Sequence, residues 1–401
     1  MLTRARGIAE WMWAAAGAVA LVATRAIAPR DAWRAVASGT DVYLFLAGMM
    51  VLAELARHEG VFDWLAAHAA RASGRSRFRL FALVYAAATL VTVLLSNDAT
   101  AVVLTPAVAA VVRRAKADPL PHLYACAFVA NAASFVLPIS NPANLVIYGG
   151  AMPRLGPWLA AFSLPSLLAI AATFVGLASF NRKSFRGEST REDRVATLTG
   201  TGKITVVAVG VTALALIVAS AGGAHLGVVT SCASALAFLA VCVGRRGRAP
   251  AVLQHVSWSV LGLVAALFII VRALDSTGSL DVARHGVEGA ATWGRVPGTF
   301  ALGFATAAIA NITNNLPAGV VAGAAVSALR NHDALRRAAT VGIDLGPNFS
   351  VTGSLATVLW MTILRREGLT ISAGAFLRIG AAITPLALGL ALAGICATSR
   401  S

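Results

Sequence analysis

Charge is scarce in this chain. Asp, Glu, Lys and Arg make up 12% of its 401 residues, about half of the roughly 25% that a soluble domain carries. No Asp, Glu, Lys or Arg occurs from 204 to 244 or from 296 to 329, and from 80 to 112 there is one, Asp98. With 58% hydrophobic residues and a mean hydropathy of +0.76, a water-soluble fold is excluded and a polytopic membrane protein remains. Acidic residues are scarcer than basic ones, 17 against 33. The basic excess falls in short loops between apolar runs, where it anchors to an anionic leaflet. No RNA or DNA motif accompanies it, which argues against a nucleic-acid partner. The four cysteines (Cys126, Cys232, Cys242, Cys396) lie in apolar segments at irregular spacing, with neither a disulfide framework nor a metal pattern. No His cluster, Ser–Lys pair or paired-Asp motif stands at one depth, so the residues do not support an intramembrane enzyme.

A membrane-spanning helix needs about 20 apolar residues. Segments 9–28, 39–57, 120–148, 158–180, 204–221, 224–244, 256–274, 336–364 and 374–396 meet that need, which gives about nine spans. Arg4 and Arg6 before an apolar run resemble a signal peptide, but Arg25 interrupts the approach to Ala26-Ile27-Ala28, so a retained first helix is expected. Segments 80–112 and 296–329 differ from the others. Each carries its polar residues in the middle, Ser96-Asn97-Asp98-Ala99-Thr100 in one and Asn311-Ile312-Thr313-Asn314-Asn315-Leu316-Pro317 in the other. Lipid cannot satisfy amides and hydroxyls, so such a segment reads as a re-entrant hairpin whose tip lines a protein-enclosed cavity; a single kinked span is the alternative. Segments 59–72 and 279–293 precede the two hairpins, the first with apolar residues at helical spacing suited to the membrane interface.

Basic residues set the orientation. Arg182, Lys183, Arg186, Arg191, Arg194 and Lys203 on one flank of 204–244, and Arg245, Arg246 and Arg248 on the other, place both flanks in the cytoplasm and the Gly222-Gly223-Ala224 turn outside. The first hairpin then enters from the cytoplasm, the second enters from outside, and the N-terminus is cytoplasmic. Arg330, Arg336 and Arg337 fit this topology poorly. The expected organisation is a first inverted repeat over 1–180, with hairpin 80–112 and an unwound loop at 138–144. A cytoplasmic linker over 181–203 follows, then a second repeat over 204–401 with hairpin 296–329 and an unwound loop at 346–354. Before its hairpin the first half has one span fewer than the second; a lost helix and a start placed too late are both open.

Each hairpin is followed by a segment broken by Gly and Pro: Asn131 to Ser134, then Pro138-Ile139-Ser140-Asn141-Pro142-Ala143-Asn144; and Gly342-Ile343-Asp344-Leu345-Gly346-Pro347-Asn348, then Thr352-Gly353-Ser354. Asn97 and Asn141 are 44 residues apart, Asn314 and Ser354 are 40 apart. Four polar breaks meeting at mid-membrane make a cage of amide, hydroxyl and backbone groups. The expected substrate- or ion-binding residues are Ser96, Asn97, Asp98, Thr100, Asn131, Ser140, Asn141, Asn144, Thr313, Asn314, Asn315, Gly353 and Ser354. Ordinary helix-to-helix hydrogen bonding, worth about 1 kcal/mol, accounts for any one of these amides but poorly for the clusters. Asp98 and Asp344 are the carboxylates deep in these segments. A carboxylate at the bilayer centre costs roughly 3 kcal/mol or more and is by default functional, so both are expected to carry protons. The alternatives are an ion pair of Asp98 with Arg113 or Arg378, and a helix-cap role for Asp344. Glu54, near Arg57, His58 and Glu59, reads as a snorkelling interfacial group, and Cys126 as a packing residue.

At these residues the chain resembles the arsenical-pump membrane protein (ArsB) family, within the larger ion-transporter superfamily that includes divalent-anion/sodium symporters. The matching stretches are Gly60 to His68, Ser96-Asn97-Asp98 through Leu104-Thr105-Pro106, Asn314-Asn315-Leu316-Pro317, Asp344-Leu345-Gly346-Pro347 through Gly353 to Trp360, and Leu369-Thr370-Ile371-Ser372. The resemblance implies an all-α inverted-repeat transporter in the bacterial inner membrane. It implies export of arsenite and antimonite in exchange for protons, sometimes with a separate ATPase subunit, and no cofactor beyond the proton gradient. A homodimer is expected. Arsenite is a neutral trihydroxide near neutral pH and suits an uncharged cage. Departures are Asn131, where arsenite pumps usually carry Asp, and Arg57-His58 in place of an acidic pair. The alternative function is a sodium-coupled di- or tricarboxylate symporter or a sodium/proton antiporter, with Na⁺ held by hairpin carbonyls and Ser and Asn oxygens.

Overall fold

The computed structural model describes residues 10–190, 197–244, 250–327 and 333–399. Arg4, Arg6, Arg191, Arg194, Arg245, Arg246, Arg248 and Arg330, which enter the orientation argument, lie outside the described residues, as does the middle of the expected linker. The first half runs α1 (Glu10–Ala23), α2 (Pro29–Ser38), α3 (Thr40–His58), α4 (Val61–Ser73), α5 (Arg77–Leu94), α6 (Thr105–Arg114), α7 (Pro119–Ala132), α8 (Pro142–Tyr148) and α9 (Leu155–Phe180). The second runs α10 (Gly200–Gly222), α11 (Leu226–Gly244), α12 (Pro250–His255), α13 (Ser259–Ser276), α14 (Asp281–Thr292), α15 (Arg295–Thr313), α16 (Asn315–Ser327), α17 (Asp333–Leu345), α18 (Leu355–Arg366) and α19 (Ala373–Thr398).

Six elements repeat in order, α4 to α9 against α14 to α19. The closing pair is the clearest: α9 and α19 are both 26 residues long and both carry an interior proline, Pro165 and Pro385. These two helices pack on each other through small residues. A Cβ on Gly394 would lie 3.1 Å from Pro165, and one on Gly176 would lie 2.8 Å from Ile383. Thr398 Oγ1 donates to the Ala161 carbonyl at 3.3 Å. Position 161 meets 398, 165 meets 394 and 176 meets 383, so the helices run antiparallel. Equivalent helices pointing in opposite directions make the repeat an inverted one, and the two hairpins enter from opposite faces. Ahead of the repeats, α1 packs on α13 and α11 on α3, again an exchange between halves. Helix α10 has no counterpart among the described residues of the first half.

Among the described residues seven helices are long and apolar enough to cross a membrane, and α2 with α3 forms one more candidate span, bent by 49°. The expected spans 120–148 and 336–364 are broken. Each divides into two helices shorter than a bilayer requires: α7 of 14 residues with α8 of 7, and α17 of 13 with α18 of 12. Side chains start the second pieces. Asn141 Oδ1 accepts from the Ala143 amide at 3.0 Å, and Ser354 Oγ accepts from the Ala356 amide at 3.1 Å, which satisfies amides that no carbonyl of their own helix reaches.

Both re-entrant segments are hairpins and not kinked spans. In the first, the Ser189 amide donates to the Arg75 carbonyl and the next amide, Thr190, donates to the Ala115 carbonyl, both at 2.8 Å. Two consecutive residues thus touch the start of α5 and the end of α6, and the described start of the linker stitches the hairpin base. In the second, Leu302 and Val326 share one apolar cluster with Val287 and Ala290 of α14. In one continuous helix they would stand about 36 Å apart. Asn314 turns this chain with φ +83°. Glu54 does not snorkel: it is 8% exposed and bonded by Arg57 Nε at 2.8 Å, and it is the arginine that reaches outward.

Overpacking the α9–α19 seam tests the antiparallel register. Gly394→Leu is expected to cost roughly 1–3 kcal/mol and to lower the thermal midpoint in detergent. Gly389→Leu, on the same helix with nothing within 4 Å of its Cβ position, is expected to leave that midpoint unchanged.

Candidate functional site

The two broken segments cross each other. Asn141 Nδ2 donates to Asp344 Oδ1 at 2.8 Å, Asn131 Nδ2 donates to Asn348 Oδ1 at 2.9 Å, and Asn348 Nδ2 donates to the Phe128 carbonyl at 2.9 Å. Each bond joins one repeat to the other. All these side chains are buried, Asp344 completely. Close backbone approach makes the crossing attainable. A Cβ on Gly342 would collide with the Gly303 carbonyl and Thr306 Oγ1, and one on Gly346 would lie 2.6 Å from Ala307. Glycine therefore lets the end of α17 lie directly against α15, with Asp344 in its last turn. Asp344 is not a helix cap, because the helix closes beyond it at Leu345.

The hairpin tips dock onto these breaks. In the first repeat, Ser140 Oγ donates to the Val93 carbonyl just before the tip at 3.1 Å. In the second, Asn311 Nδ2 donates to the Gly346 carbonyl at 2.8 Å, its Oδ1 accepts from Ser350 Oγ at 2.7 Å, and its carbonyl accepts from Thr352 Oγ1 at 3.0 Å. Second arms also exchange between halves, α16 against α8 and the start of the first hairpin's return arm against α18.

The expected residues divide by what they touch. Asn131, Asn141 and Asp344 form the crossing, and Asn144 joins it by donating to the Ser134 carbonyl at 2.9 Å. Ser140 ties the first tip to its loop. Gly353 lies against Pro347 and Asn311, and Ser354 caps α18. Ser96 and Asn97 accept from the amides of Ala99 and Asp98 and shape the first tip. Asp98 is half-buried, and its carboxyl has no hydrogen bond or ion pair among the described residues; Arg113 pairs with Glu367 at 2.9 Å instead, and Arg378 is exposed. Thr100 is not in the crossing. It opens a π-helical return arm over Ala99–Leu104, and its hydroxyl meets Thr92 Oγ1 at 2.8 Å. Thr313 is half-exposed and bonds back to the Ile309 carbonyl of its own helix at 2.9 Å. Asn314 and Asn315 are buried at the second tip. Cys126 is fully buried, as packing requires.

Asn311 and Asn348 hold the assembly together yet stood outside the expected set. The sequence does carry a signal for them. Asn311 precedes Asn314 by one helical turn, and Asn348 follows a Gly-Pro break. No cluster of three His, Cys, Asp or Glu side chains occurs among the described residues, so the chemistry is that of oxygen and amide groups. A cleft of about 740 Å³ between α14 and the second hairpin is apolar, lined by residues such as Ala305, Ala322 and Trp293, and reaches Ile343 beside Asp344.

Residues 1–342 match the model of the CitMHS family, described as citrate transporters. The arsenical pump membrane protein of Escherichia coli K12 is 27% identical, covering 96% of this chain and 92% of its own length. That of Yersinia enterocolitica is 28% identical over 90% and 87%. Among solved structures, the Alcanivorax borkumensis YdaH transporter is similar with a TM-score of 0.55 at 16% identity, over 89% of this chain and 83% of that one, a likeness of fold.

Asn311→Ala removes the two side-chain bonds to Gly346 and Ser350, leaving the Thr352 bond to its backbone carbonyl, and is expected to destabilise the protein by roughly 2 kcal/mol, read as a lower thermal midpoint in detergent. Thr313→Val, which loses a bond within its own helix, is expected to change that midpoint by less than about 0.5 kcal/mol equivalent.

Proposed function

The chain belongs to the CitMHS citrate-transporter family, and from that premise we propose that it is a proton-coupled exporter of arsenite and antimonite. The observation that carries this reading is the absence of basic side chains where the breaks meet. Neither hairpin (80–112, 296–329) contains Lys or Arg, and in the broken segments (119–148, 336–364) the basic residues are confined to Arg336 and Arg337 near the start of α17, about two turns before Asp344. The groups there are amides, hydroxyls and two carboxyls. A citrate anion would face Asp98 and Asp344 with no cation to offset its charge, in a medium where like charges repel strongly. A neutral trihydroxide meets instead a set of acceptors and donors matched to its own O–H groups and oxygens. The arsenical pumps that are 27% and 28% identical to this chain support the same cargo.

Substrate binds between the hairpin tips and the unwound loops. Asp98 takes up the exchanged proton, since its carboxyl stands at a tip, half-buried and without a partner among the described residues. Asp344 is the second proton-coupling candidate. Access alternates by rigid movement of the hairpin-bearing elements against the helices that precede them. The protein resides in the bacterial inner membrane with a cytoplasmic N-terminus, as a homodimer, and the proton gradient alone drives export, so a separate ATPase subunit is not required. A sodium-coupled reading has one observation in its favour, the oxygen-rich chemistry of the loop crossing.

Everted vesicles without ATP, given an inward-acidic gradient, are expected to accumulate arsenite and antimonite and not citrate. Asp98→Asn is expected to abolish that accumulation at unchanged expression, and Cys126→Ala to leave it within about twofold. No arsenite uptake under this gradient, or citrate uptake when the gradient is reversed so that the outside is acidic, would overturn the assignment.

A further inference from the structure

We propose that the apolar cleft between α14 and the second hairpin is a lipid site, filled by one acyl chain of a bilayer phospholipid. The site is separate from the loop crossing and from the hairpin tips. The inference goes beyond the cargo assignment and holds whatever solute is carried.

A comparison of the repeats shows how the sequence makes room. Gly60, Phe62 and Asp63 correspond to Gly278, Leu280 and Asp281, each pair 218 residues apart. Both glycines have positive φ, +74° and +73°, and both aspartates stand in the first turn of the helix that follows. In this register Trp64, Leu65, His68 and Arg71 of α4 become Val282, Ala283, Gly286 and Gly289 of α14. The four smaller residues all line the cleft of about 740 Å³. A Cβ on Gly286 or Gly289 would meet nothing within 4 Å. Ala66, buried in α4, becomes Arg284. The Arg284 guanidinium donates through Nη2 to Asp275 Oδ1 at 2.6 Å and through Nη1 to Asp281 Oδ1 at 2.9 Å, which ties the start of α14 to the end of α13. Helix α4 buries Phe62, Ala66, Ala67, Ala69, Ala70 and Ser73, whereas α14 buries Val287 and Ala290. Equivalent helices are thus closed down on one hairpin and held partly off the other.

The setting identifies the occupant. Helix α15 is long and apolar enough to cross a membrane. The cleft runs along it from Leu302 toward the hairpin base to Ile309 beside the tip, about 10 Å of helix. Phe304, Ile309 and Ile312 of α15 are exposed, so the cleft continues the surface that this helix presents to lipid. Its wall offers little to a polar solute. Thr306 Oγ1 is spent on the carbonyls of Leu302 and Gly303, His285 Nδ1 on that of Asp281, and the Ser279 hydroxyl meets that of Thr277. An apolar cavity stays dry, and an empty one forfeits the dispersion contacts of its lining. In a bilayer the apolar molecule at hand is an acyl chain. Trp293 lines the cleft and is 65% exposed. Such an indole belongs at headgroup level, so the chain enters beside Trp293 with its end toward Ile343, the neighbour of Asp344. There it seals the crossing against the surrounding bilayer.

The test uses purified full-length protein, delipidated in detergent, then mixed with a phosphatidylethanolamine and measured by native mass spectrometry. One phospholipid per chain is expected to survive the activation that strips all others. Gly286→Leu with Gly289→Leu fills the cleft from α14, and Ala305→Leu enters it from α15. Each is expected to weaken retention by roughly tenfold or more. Gly389→Leu, on α19 and outside the cleft, is expected to retain lipid as the wild type does. Leucine in place of glycine favours a helix, so the double variant is expected to fold. Added lipid is expected to raise the thermal midpoint of the wild type, as a ligand of the folded state does, and to leave that of the double variant unchanged. A wild type that keeps no lipid overturns the proposal, including one that persists as a dimer with the cleft closed by a second copy. So does retention that is equal in the wild type and in both cleft variants. No cargo is present, so failure here is separate from failure of the export assay.

Discussion

The structure depends on how it satisfies backbone and side-chain polar groups where two helices are broken inside the membrane. Hydrocarbon offers no hydrogen bonds, so each break must find partners within the protein. Here the two breaks are partners of each other. Asn141 bonds Asp344 and Asn131 bonds Asn348, each across the boundary between repeats. Neither half can therefore complete its own break. The hairpin tips are then docked onto a crossing that already exists, through Ser140 in one half and Asn311 in the other.

Inversion of the repeat makes this mutual arrangement attainable, and divergence within it makes the arrangement useful. Asn131 is the penultimate residue of α7 and Asp344 the penultimate residue of α17. Asn141 and Ser354 cap the helices that follow, each ten residues further on. At equivalent places the protein thus has an amide in one half and a carboxyl in the other. A crossing with two carboxyls would repel itself. A crossing with two amides would carry no titratable group. The hairpins diverge as well. The second tip is tied down by several bonds through Asn311, whereas the first presents an Asp98 carboxyl without a partner among the described residues and follows it with a π-helical arm.

Chemistry at the crossing bears on the cargo more than the family name does. The CitMHS description names citrate, while the arsenical pumps share about a quarter of this sequence over nearly all of it. A trianion and a neutral trihydroxide make opposite demands on a buried site. Hairpins without Lys or Arg suit the second demand, and the proposed export rests on that. The apolar cleft beside the second hairpin is much roomier, but it offers neither set of partners.

The sequence by itself determined the membrane class, the two hairpins and the two breaks, because each rests on local composition: a polar cluster in an uncharged run has few places to go. It also marked Asp344, Asn131 and Asn141, since deep polar residues beside Gly and Pro stand out against lipid. It did not separate Asn131 and Asn141 from Thr100 and Thr313, which have the same polarity but turn their hydroxyls to Thr92 and to their own helix. It passed over Asn348 and Asn311, whose importance lies in partners up to 220 residues away. Which end of each amide faces inward was decided by tertiary structure alone. That choice depends on a carbonyl or amide brought alongside from the opposite repeat, and no spacing along one chain segment encodes it.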